Sequence, residues 1–289
     1  MKRLLTLIAI VLTAAAFTVQ LTSLARAQNS ITYLAGQGQD TNGCFINTPC
    51  QSLSVALGHT SDGGAIQCVD AGYFGSATIT ISVVIDCVAS GGGANAEAIT
   101  INAPGKIVTL RNIAIDGFGR GGIDIIAAAS VYLENVLVST SFMPGIKDHR
   151  AGPGVLVIRN SSIVNIQGVG ILVAPSSGTI GAELDNVSSA YNSYGLAVGS
   201  GGRVMIKNSV FTANTTSGIQ VDGGAFVGVS SSQISFNSTG IATGGTVAVQ
   251  NSSVNSNTTA ISGATQSLGN NLLFANIADG TAPTIISGR

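Results

Sequence analysis

Five side chains in the middle of the sequence are of types that could carry out acid–base chemistry. Asp116 and Asp148 supply carboxyl groups, His149 supplies an imidazole, and Arg120 and Arg150 supply guanidinium groups. Two carboxyl groups about 5–9.5 Å apart can serve glycoside hydrolysis. Asp148, His149 and Arg150 open an irregular segment, and such segments often carry functional residues when a rigid scaffold positions them. The five residues are therefore candidates for a carbohydrate-binding or hydrolytic site.

The same residues allow a simpler interpretation, in which they are solvated loop charges that pair with one another. Alignment of Gly122-Ile123 with Gly145-Ile146 already places Asp124 beside Lys147. Strongly shifted pKa values mark functional sites, and without such evidence the structural interpretation is favoured. The catalytic assignment therefore stays open.

The scaffold that would position these residues is visible as an internal repeat of 19–26 residues, each ending at one asparagine. Apolar residues stand two and four positions before that asparagine, and this alternation has the period of a β-strand. Gly-Ile pairs recur at the same interval. The asparagine column consists of Asn112, Asn135, Asn160, Asn186, Asn208 and Asn251, with Ser231 in the equivalent place before the last of them and Asn270 as a weaker final copy.

A strand this short cannot bury its apolar face alone, whereas coils that stack about 4.8 Å apart bury it together. We therefore predict an all-β fold, a single-stranded parallel β-helix (solenoid). The asparagines would form a ladder of side-chain amides that satisfies otherwise buried polar groups. A leucine-rich repeat has a similar period, but its Leu-x-x-Leu-x-Leu spacing is missing here, and the β-branched content argues against helices on the outer face.

The residue before the asparagine carries much of the charge of the chain. Its sign alternates over five successive units, as expected for an exposed column in which like charges would repel. These residues are Arg111, Glu134, Arg159, Asp185 and Lys207.

Through this repeat and its asparagine column, residues 65–280 resemble the pectin-lyase-like right-handed parallel β-helix superfamily. The resemblance implies a right-handed coil.

The start of the mature chain is similar to that of a group of secreted bacterial β-helix proteins. The stretch Val55-Ala56-Leu57 predicts a short helix that caps the N-terminal end of the coil and covers its open edge. The similarity at the start involves Tyr33, Gly38, Asp40, Cys44 and the run Pro49-Cys50-Gln51-Ser52-Leu53.

Enzymes of this superfamily degrade acidic polysaccharides, by elimination with a basic residue and Ca²⁺ or by hydrolysis with paired carboxylates. This sequence lacks an Asp-Asp pair, an Arg-x-Lys partner and the arginine–proline signature of pectate lyases. We therefore predict a non-catalytic binding or surface-structural role toward polysaccharide or another cell-envelope component, with no metal or cofactor. The alternative is a polysaccharide lyase or glycoside hydrolase that acts on acidic polysaccharide.

The first 27 residues have the features of a secretory signal peptide. Lys2-Arg3 precede an apolar run from Leu4 to Phe17, and Ala25-Arg26-Ala27 forms a small-x-small cleavage site. A membrane anchor is the alternative, but the run is shorter than the ~20 residues that a span needs. We predict a secreted protein, extracellular or periplasmic, without a membrane span after cleavage.

The four cysteines suit an oxidising compartment. Cys44 and Cys50 enclose a short loop, and Cys68 and Cys87 have similar apolar surroundings. This favours the disulfides Cys44–Cys50 and Cys68–Cys87. A zinc site is the rival, but the sequence has no Cys-x-x-Cys pair.

The composition argues against a nucleic-acid partner. The chain has 289 residues, of which 9% are charged, with 12 basic and 13 acidic side chains. With nearly equal numbers of basic and acidic side chains, the chain lacks the basic surface that binding of nucleic acid requires.

The expected boundaries are a signal peptide over residues 1–27, an N-terminal cap over 28–64, coils over 65–271 and a C-terminal cap or tail over 272–289. Capped ends argue against end-to-end stacking, so a monomer is expected.

Overall fold

A computed structural model describes residues 28–88, 94–117, 121–139, 141–142 and 144–286. The predicted signal peptide and Arg120 lie outside these ranges. In the described part of the chain, three parallel β-sheets run the length of the molecule, and each coil visits them in the same order. About nine turns form a right-handed parallel β-solenoid with almost no helix, which confirms the predicted fold class. No helix in these ranges is long and apolar enough to cross a membrane.

The strands are numbered in chain order and belong to three sheets. Sheet 1 contains β1 (Asn29–Leu34), β2 (Thr60–Cys68), β5 (Val83–Asp86), β8 (Ile107–Arg111), β11 (Ser130–Glu134), β14 (Gly154–Arg159), β17 (Ile180–Asp185), β20 (Gly202–Lys207), β23 (Phe226–Ser230), β26 (Thr246–Gln250), β29 (Gln266–Ser267) and β32 (Thr284–Ile285). Sheet 2 contains β3 (Gly72–Tyr73), β6 (Ala94–Ala96), β9 (Ala114–Asp116), β12 (Leu137–Ser139), β15 (Ser162–Val164), β18 (Ser188–Ala190), β21 (Val210–Thr212), β24 (Gln233–Ser235), β27 (Ser253–Asn255) and β30 (Leu272–Phe274). Sheet 3 contains β4 (Ala77–Ile79), β7 (Ile99–Asn102), β10 (Ile123–Ala127), β13 (Ile146–Asp148), β16 (Val169–Val173), β19 (Tyr194–Val198), β22 (Ser217–Val221), β25 (Thr239–Thr243), β28 (Thr259–Ser262) and β31 (Ala278–Gly280).

The core lies inside the coil and is built from the alternating apolar residues of sheet 1 and their counterparts in the other sheets. Val131 pairs with Val108 on one side and with Leu156 on the other, and all three side chains are buried. The residues two positions further along each strand repeat this arrangement. The predicted strand register is therefore confirmed, because residues about two dozen apart in the chain are neighbours in the sheet.

The recurring Gly-Ile pairs begin the strands of sheet 3. The isoleucine of each pair points into the core, as Ile123 and Ile146 do. The glycine is needed because successive coils approach closely at this point. A Cβ on Gly122 would lie 1.9 Å from the carbonyl oxygen of Gly145.

The connection from sheet 1 to sheet 2 has two residues in each coil from β8 to β27. The first of the two is the asparagine of the repeat or its Ser231 equivalent, and it adopts a left-handed backbone conformation, with φ of 56° at Asn112 and 47° at Asn251. Asparagine tolerates this conformation better than most residues. The repeating asparagine is therefore explained first by backbone geometry.

The side chains of this column form a ladder that is interrupted. Asn135 donates to Asn112 at 2.7 Å and Asn186 donates to Asn160 at 2.9 Å, while the amide of Asn208 donates to Asp185. The expectation that the ladder satisfies buried polar groups is wrong, because these asparagines are exposed or half-buried. A left-handed turn with an outward side chain leaves the amides at the surface.

A second asparagine ladder, buried and not predicted from the sequence, lies at the connection from sheet 2 to sheet 3. The amide of Asn214 donates to Asn237 Oδ1 at 2.9 Å, and that of Asn237 donates to Asn257 Oδ1 at 3.0 Å. Each of these oxygens also accepts the backbone N–H of the asparagine one coil before it. The members of this inner ladder are Asn192, Asn214, Asn237, Asn257 and Asn276.

The two ends of the solenoid differ. At the N-terminal end, β1 pairs with β2, and helix α1 (Leu53–His59) packs Leu53, Ala56 and Leu57 into the core, as the capping prediction requires. At the other end, residues 272–286 include β30, β31 and β32, which pair in register with the preceding coil. The predicted C-terminal cap is therefore wrong for this segment, which continues the solenoid.

The predicted disulfides, Cys44–Cys50 and Cys68–Cys87, are both present. The first closes the loop before α1, and the second joins the end of β2 to the residue after β5 in the next coil. Both lie at the N-terminal end of the molecule. They therefore fasten the cap and the first two coils.

The charged column is in register along sheet 1, and Asp86 extends it by one coil. Arg111 and Glu134 are 3.1 Å apart. Arg159 and Lys207 instead reach Glu183, at 3.4 and 3.5 Å. The alternation of charge is observed, but Arg159 and Lys207 contact Glu183, which lies two residues before Asp185 on the same face of β17.

Reversal of one charge in this column tests the stacking. Glu134→Lys would place three cations in successive coils, where Glu134 now pairs with Arg111 and Arg159. We expect the free energy of unfolding to fall by about 1 kcal/mol, because exposed pairs are weak. High salt should recover part of the loss by screening. Urea unfolding at low and high salt measures this, with Glu134→Gln as the control; an identical loss at both salt concentrations would contradict it.

The two ladders should differ in their contribution to stability. Asn237→Ala leaves the backbone N–H of Asn214 and the carbonyl of Phe211 without side-chain partners inside the core. We expect a loss of roughly 2–4 kcal/mol, since buried unsatisfied groups cost about 1–3 kcal/mol each. Asn160→Gly in the exposed column keeps the left-handed turn and should change stability by under ~1 kcal/mol. Urea unfolding measures both variants. Equal losses of unfolding free energy in Asn237→Ala and Asn160→Gly would contradict the larger structural role assigned to the inner ladder.

Candidate functional site

Asp148 and Arg150, two of the predicted site residues, form an ion pair inside the molecule. The Arg150 side chain is 1% exposed and the Asp148 side chain is 0% exposed. Arg150 donates from Nε to Asp148 Oδ1 at 3.0 Å and from Nη2 to Oδ2 at 2.8 Å. Its remaining contacts are with the carbonyl oxygens of Ala128 and Val155, at 3.0 and 2.9 Å. The guanidinium thus bridges three segments of neighbouring coils.

This environment gives the pair a structural role. Burial raises the pKa of the Asp148 carboxyl above its usual value, although Arg150 opposes the shift. A carboxyl with a raised pKa can act as a general acid when substrate reaches it. Asp148 is fully buried, so substrate has no access to it.

His149 points away from its two neighbours, to the outer face of sheet 3. Its Nε2 atom lies 2.9 Å from Oδ1 of Asp124, without the alignment of a hydrogen bond. Asp124 is also paired in the sheet with Lys147, as the sequence alignment of the coils predicts. Asp124, Lys147 and His149 therefore form a small charged cluster on the surface.

Apart from the Asp148–Arg150 pair, the predicted site residues that the structure describes do not converge. Asp116 ends β9 in sheet 2, Asp148 lies inside sheet 3, and His149 lies on the outside of the coil. Arg120 is outside the described residues. The geometry thus favours the interpretation of these groups as structural or surface charges.

A more extended feature is the groove that follows the exposed asparagine turn between sheets 1 and 2, which we call the asparagine groove. A cavity of about 430 Å³ lies against Asn112, Asn135 and Asn160, and Val88 and Leu137 also line it. A second cavity, of about 670 Å³, lies further along the same turn. It is lined by asparagines and serines, among them Asn208, Ser231, Asn251 and Asn270.

The charged groups beside the asparagine groove are bonded to other groups of the protein. Glu134 pairs with Arg111, and the carboxylates of Asp86 and Asp185 accept hydrogen bonds from the amides of Asn112 and Asn208. Further along, the lining is uncharged. The polar part of the groove therefore consists mainly of amides and hydroxyl groups, and apolar side chains such as Val88 and Leu137 lie between them.

The residues do not fit the calcium ion that the superfamily resemblance implies. In the ranges that the structure describes, no three His, Cys, Asp or Glu side chains are grouped so that they could hold a metal ion. Calcium requires six to eight oxygen ligands, usually with several carboxylates.

The comparisons with known proteins agree with the fold. Residues 150–287 match the family described as "Right handed beta helix region". A solved structure, "Crystal structure of pectate lyase Pel9A", is similar with a TM-score of 0.52 and 13% identity, over 91% of this chain and 80% of that chain. No curated protein matches the chain.

These findings agree with the observed right-handed parallel β-helix. At 13% identity, the likeness to the pectate lyase shows the fold. The function has to be argued from the residues of this chain.

The buried ion pair yields a stability test. Arg150→Met removes the partner of a buried carboxylate, and we expect the free energy of unfolding to fall by about 3–5 kcal/mol. Asp148→Leu together with Arg150→Met removes both charges and should recover most of that loss. His149→Gln, at the surface next to the pair, serves as the control and should cost under ~1 kcal/mol. If chemical denaturation shows that Arg150→Met leaves the free energy of unfolding unchanged, the structural role of the pair is refuted.

Proposed function

We propose that this protein binds polysaccharide in the asparagine groove without cleaving it, as a secreted component of the cell surface or its surroundings. The observation that carries the proposal is a groove along the asparagine turn whose polar lining consists mainly of amides and hydroxyl groups, while the adjacent carboxylates are already bonded to protein partners. The disulfides are consistent with an extracellular protein.

The exposed asparagines suit the recognition of sugar hydroxyl groups. An amide has two N–H donors and an oxygen with two lone pairs. The ladder bond between Asn135 and Asn112 uses one donor of the first residue and one acceptor position of the second. Asn112 also donates to Asp86, and the other donors and acceptors of these two amides are left for a ligand. Exposed amides recur in most coils along the groove, as a polymeric ligand requires.

The alternative is an enzyme that degrades acidic polysaccharide. It draws support from the fold, since the similar solved structure is titled a pectate lyase. Hydrolysis would need two accessible carboxyl groups, one of them with a raised pKa. Asp148, whose pKa is raised, is buried against Arg150. The geometry therefore favours binding without cleavage.

Retention and cleavage can be measured on the same samples. The purified protein is run through gels that contain polygalacturonate, alginate, xylan or glucomannan, and each incubation is assayed for unsaturated products and new reducing ends. We expect slower migration in at least one gel and no products. Cleavage of any of these polymers would overturn the proposal in favour of the enzyme.

A groove variant locates the binding. Asn135→Gly with Asn160→Gly deletes two groove amides at left-handed positions that glycine adopts freely. Each lost hydrogen bond is worth about 0.5–1.5 kcal/mol, so affinity should fall roughly tenfold. Gln220→Ala, on the outer side of sheet 3, is the matched control and should bind as the wild type does. Unchanged binding by the groove variant would contradict the location.

A further inference from the structure

The connection from sheet 2 to sheet 3 also contains a left-handed residue in each of six successive coils. Four of the six are small residues or asparagine, which fit this conformation with little strain. Two are aromatic: Tyr191 and Phe236, both with φ of 58°. The full column is Asn165, Tyr191, Ala213, Phe236, Ser256 and Ala275.

The fold does not require aromatic side chains at these two positions. A bulky residue with positive φ is strained, and such residues cluster at functional sites. Burial does not compensate for the strain, since Tyr191 is 66% exposed and Phe236 is 65% exposed. In the coil before Tyr191 the equivalent residue is Asn165, which has the same φ of 58°. Asparagine is a residue type that suits this left-handed conformation.

The two rings do not stabilise each other by stacking. Ala213 occupies the coil between them, and the backbone hydrogen bonds from Tyr191 to Thr212 and from Ala213 to Ser235 keep the three coils in register. Two coils correspond to about 10 Å along the axis. Aromatic residues in adjacent coils would contact each other, whereas rings at this spacing remain available to a ligand.

The surroundings of the pair are polar and uncharged. Two residues after each left-handed position from Tyr191 to Ser256, the chain has a residue with a hydroxyl group: Ser193, Thr215, Ser238 and Thr258. Between residues 208 and 288 the sequence has two charged side chains, Asp222 and Asp279. Exposed rings flanked by hydroxyl groups suit a neutral sugar chain, because the C–H face of a sugar ring packs on an aromatic ring while its hydroxyl groups form hydrogen bonds.

We infer that Tyr191 and Phe236 form a second binding site, an aromatic platform for an extended, neutral, β-1,4-linked polysaccharide that runs along the solenoid axis. In such a chain every second sugar presents the same face, so the two rings would hold two sugars of like orientation. The inference shares with the proposed function only the premise that the ligand is a polysaccharide. The residues involved lie at the other edge of sheet 2 from the asparagine groove.

The test compares binding and stability in the same variants. Tyr191→Asn and Phe236→Asn place the residue found at position 165 into the same turn, so the melting temperature should stay level or rise. Binding to cellulose, xylan and glucomannan should fall at least tenfold in the double variant, with no change in binding to amylose or polygalacturonate. Phe226→Ala removes a half-exposed aromatic residue from sheet 1 and should leave binding unchanged.

Each other outcome overturns the inference. A marked fall in melting temperature would assign the rings a structural role. The rings are not a platform for this class of polymer if the wild-type protein binds none of the neutral β-1,4-linked polymers. The same conclusion follows if the double variant binds them as tightly as the wild type does. Loss of binding in Asn135→Gly with Asn160→Gly, but not in the aromatic variants, would support the proposed function alone.

Discussion

The structure depends on coils that stack in register, with each backbone hydrogen-bonded to the coils before and after it. Each residue in sheet 1 has a counterpart about two dozen residues later. The stabilising or destabilising effect of a residue type is therefore repeated from coil to coil along the column. Buried valines and leucines, exposed amides and charges of alternating sign are all arranged under this constraint.

The two short connections on either side of sheet 2 show how one backbone conformation serves different purposes. Both contain left-handed residues. After sheet 1 the left-handed residue is itself an outward asparagine, and its amide is available to the solvent. After sheet 2 the left-handed residue points outward, and the next residue, such as Asn214, turns its amide inward and holds the coils together. The same left-handed turn thus places an amide at the surface in one connection and, one residue later, inside the molecule in the other.

Much of the fold could be predicted from the sequence: the strand columns and the disulfides follow from spacing, and helix α1 from the stretch Val55-Ala56-Leu57. The inner ladder was not predicted, although Asn214, Asn237 and Asn257 recur at the interval of the repeat. The inward direction of their amides is set by the conformation of the connection after sheet 2, which the sequence pattern does not show. The position of Asp148 could have been predicted. It stands two residues after the buried Ile146 in one strand, so alternation turns it inward. Side-chain direction in the following loop, where Arg150 also turns inward, is set by tertiary contacts that the sequence pattern does not show.

The constancy of the two-residue connection between sheets 1 and 2 contrasts with the turns that lead from sheet 3 back to sheet 1. Six residues separate β16 from β17, but only two separate β25 from β26. The connection from sheet 2 to sheet 3 also varies, from six residues between β9 and β10 to three between β18 and β19. The turn from sheet 3 to sheet 1 accepts different lengths on its own side of the molecule, while the hydrogen-bonded strands stay in register. That side is the natural place to graft foreign loops if the solenoid is used as a rigid display scaffold.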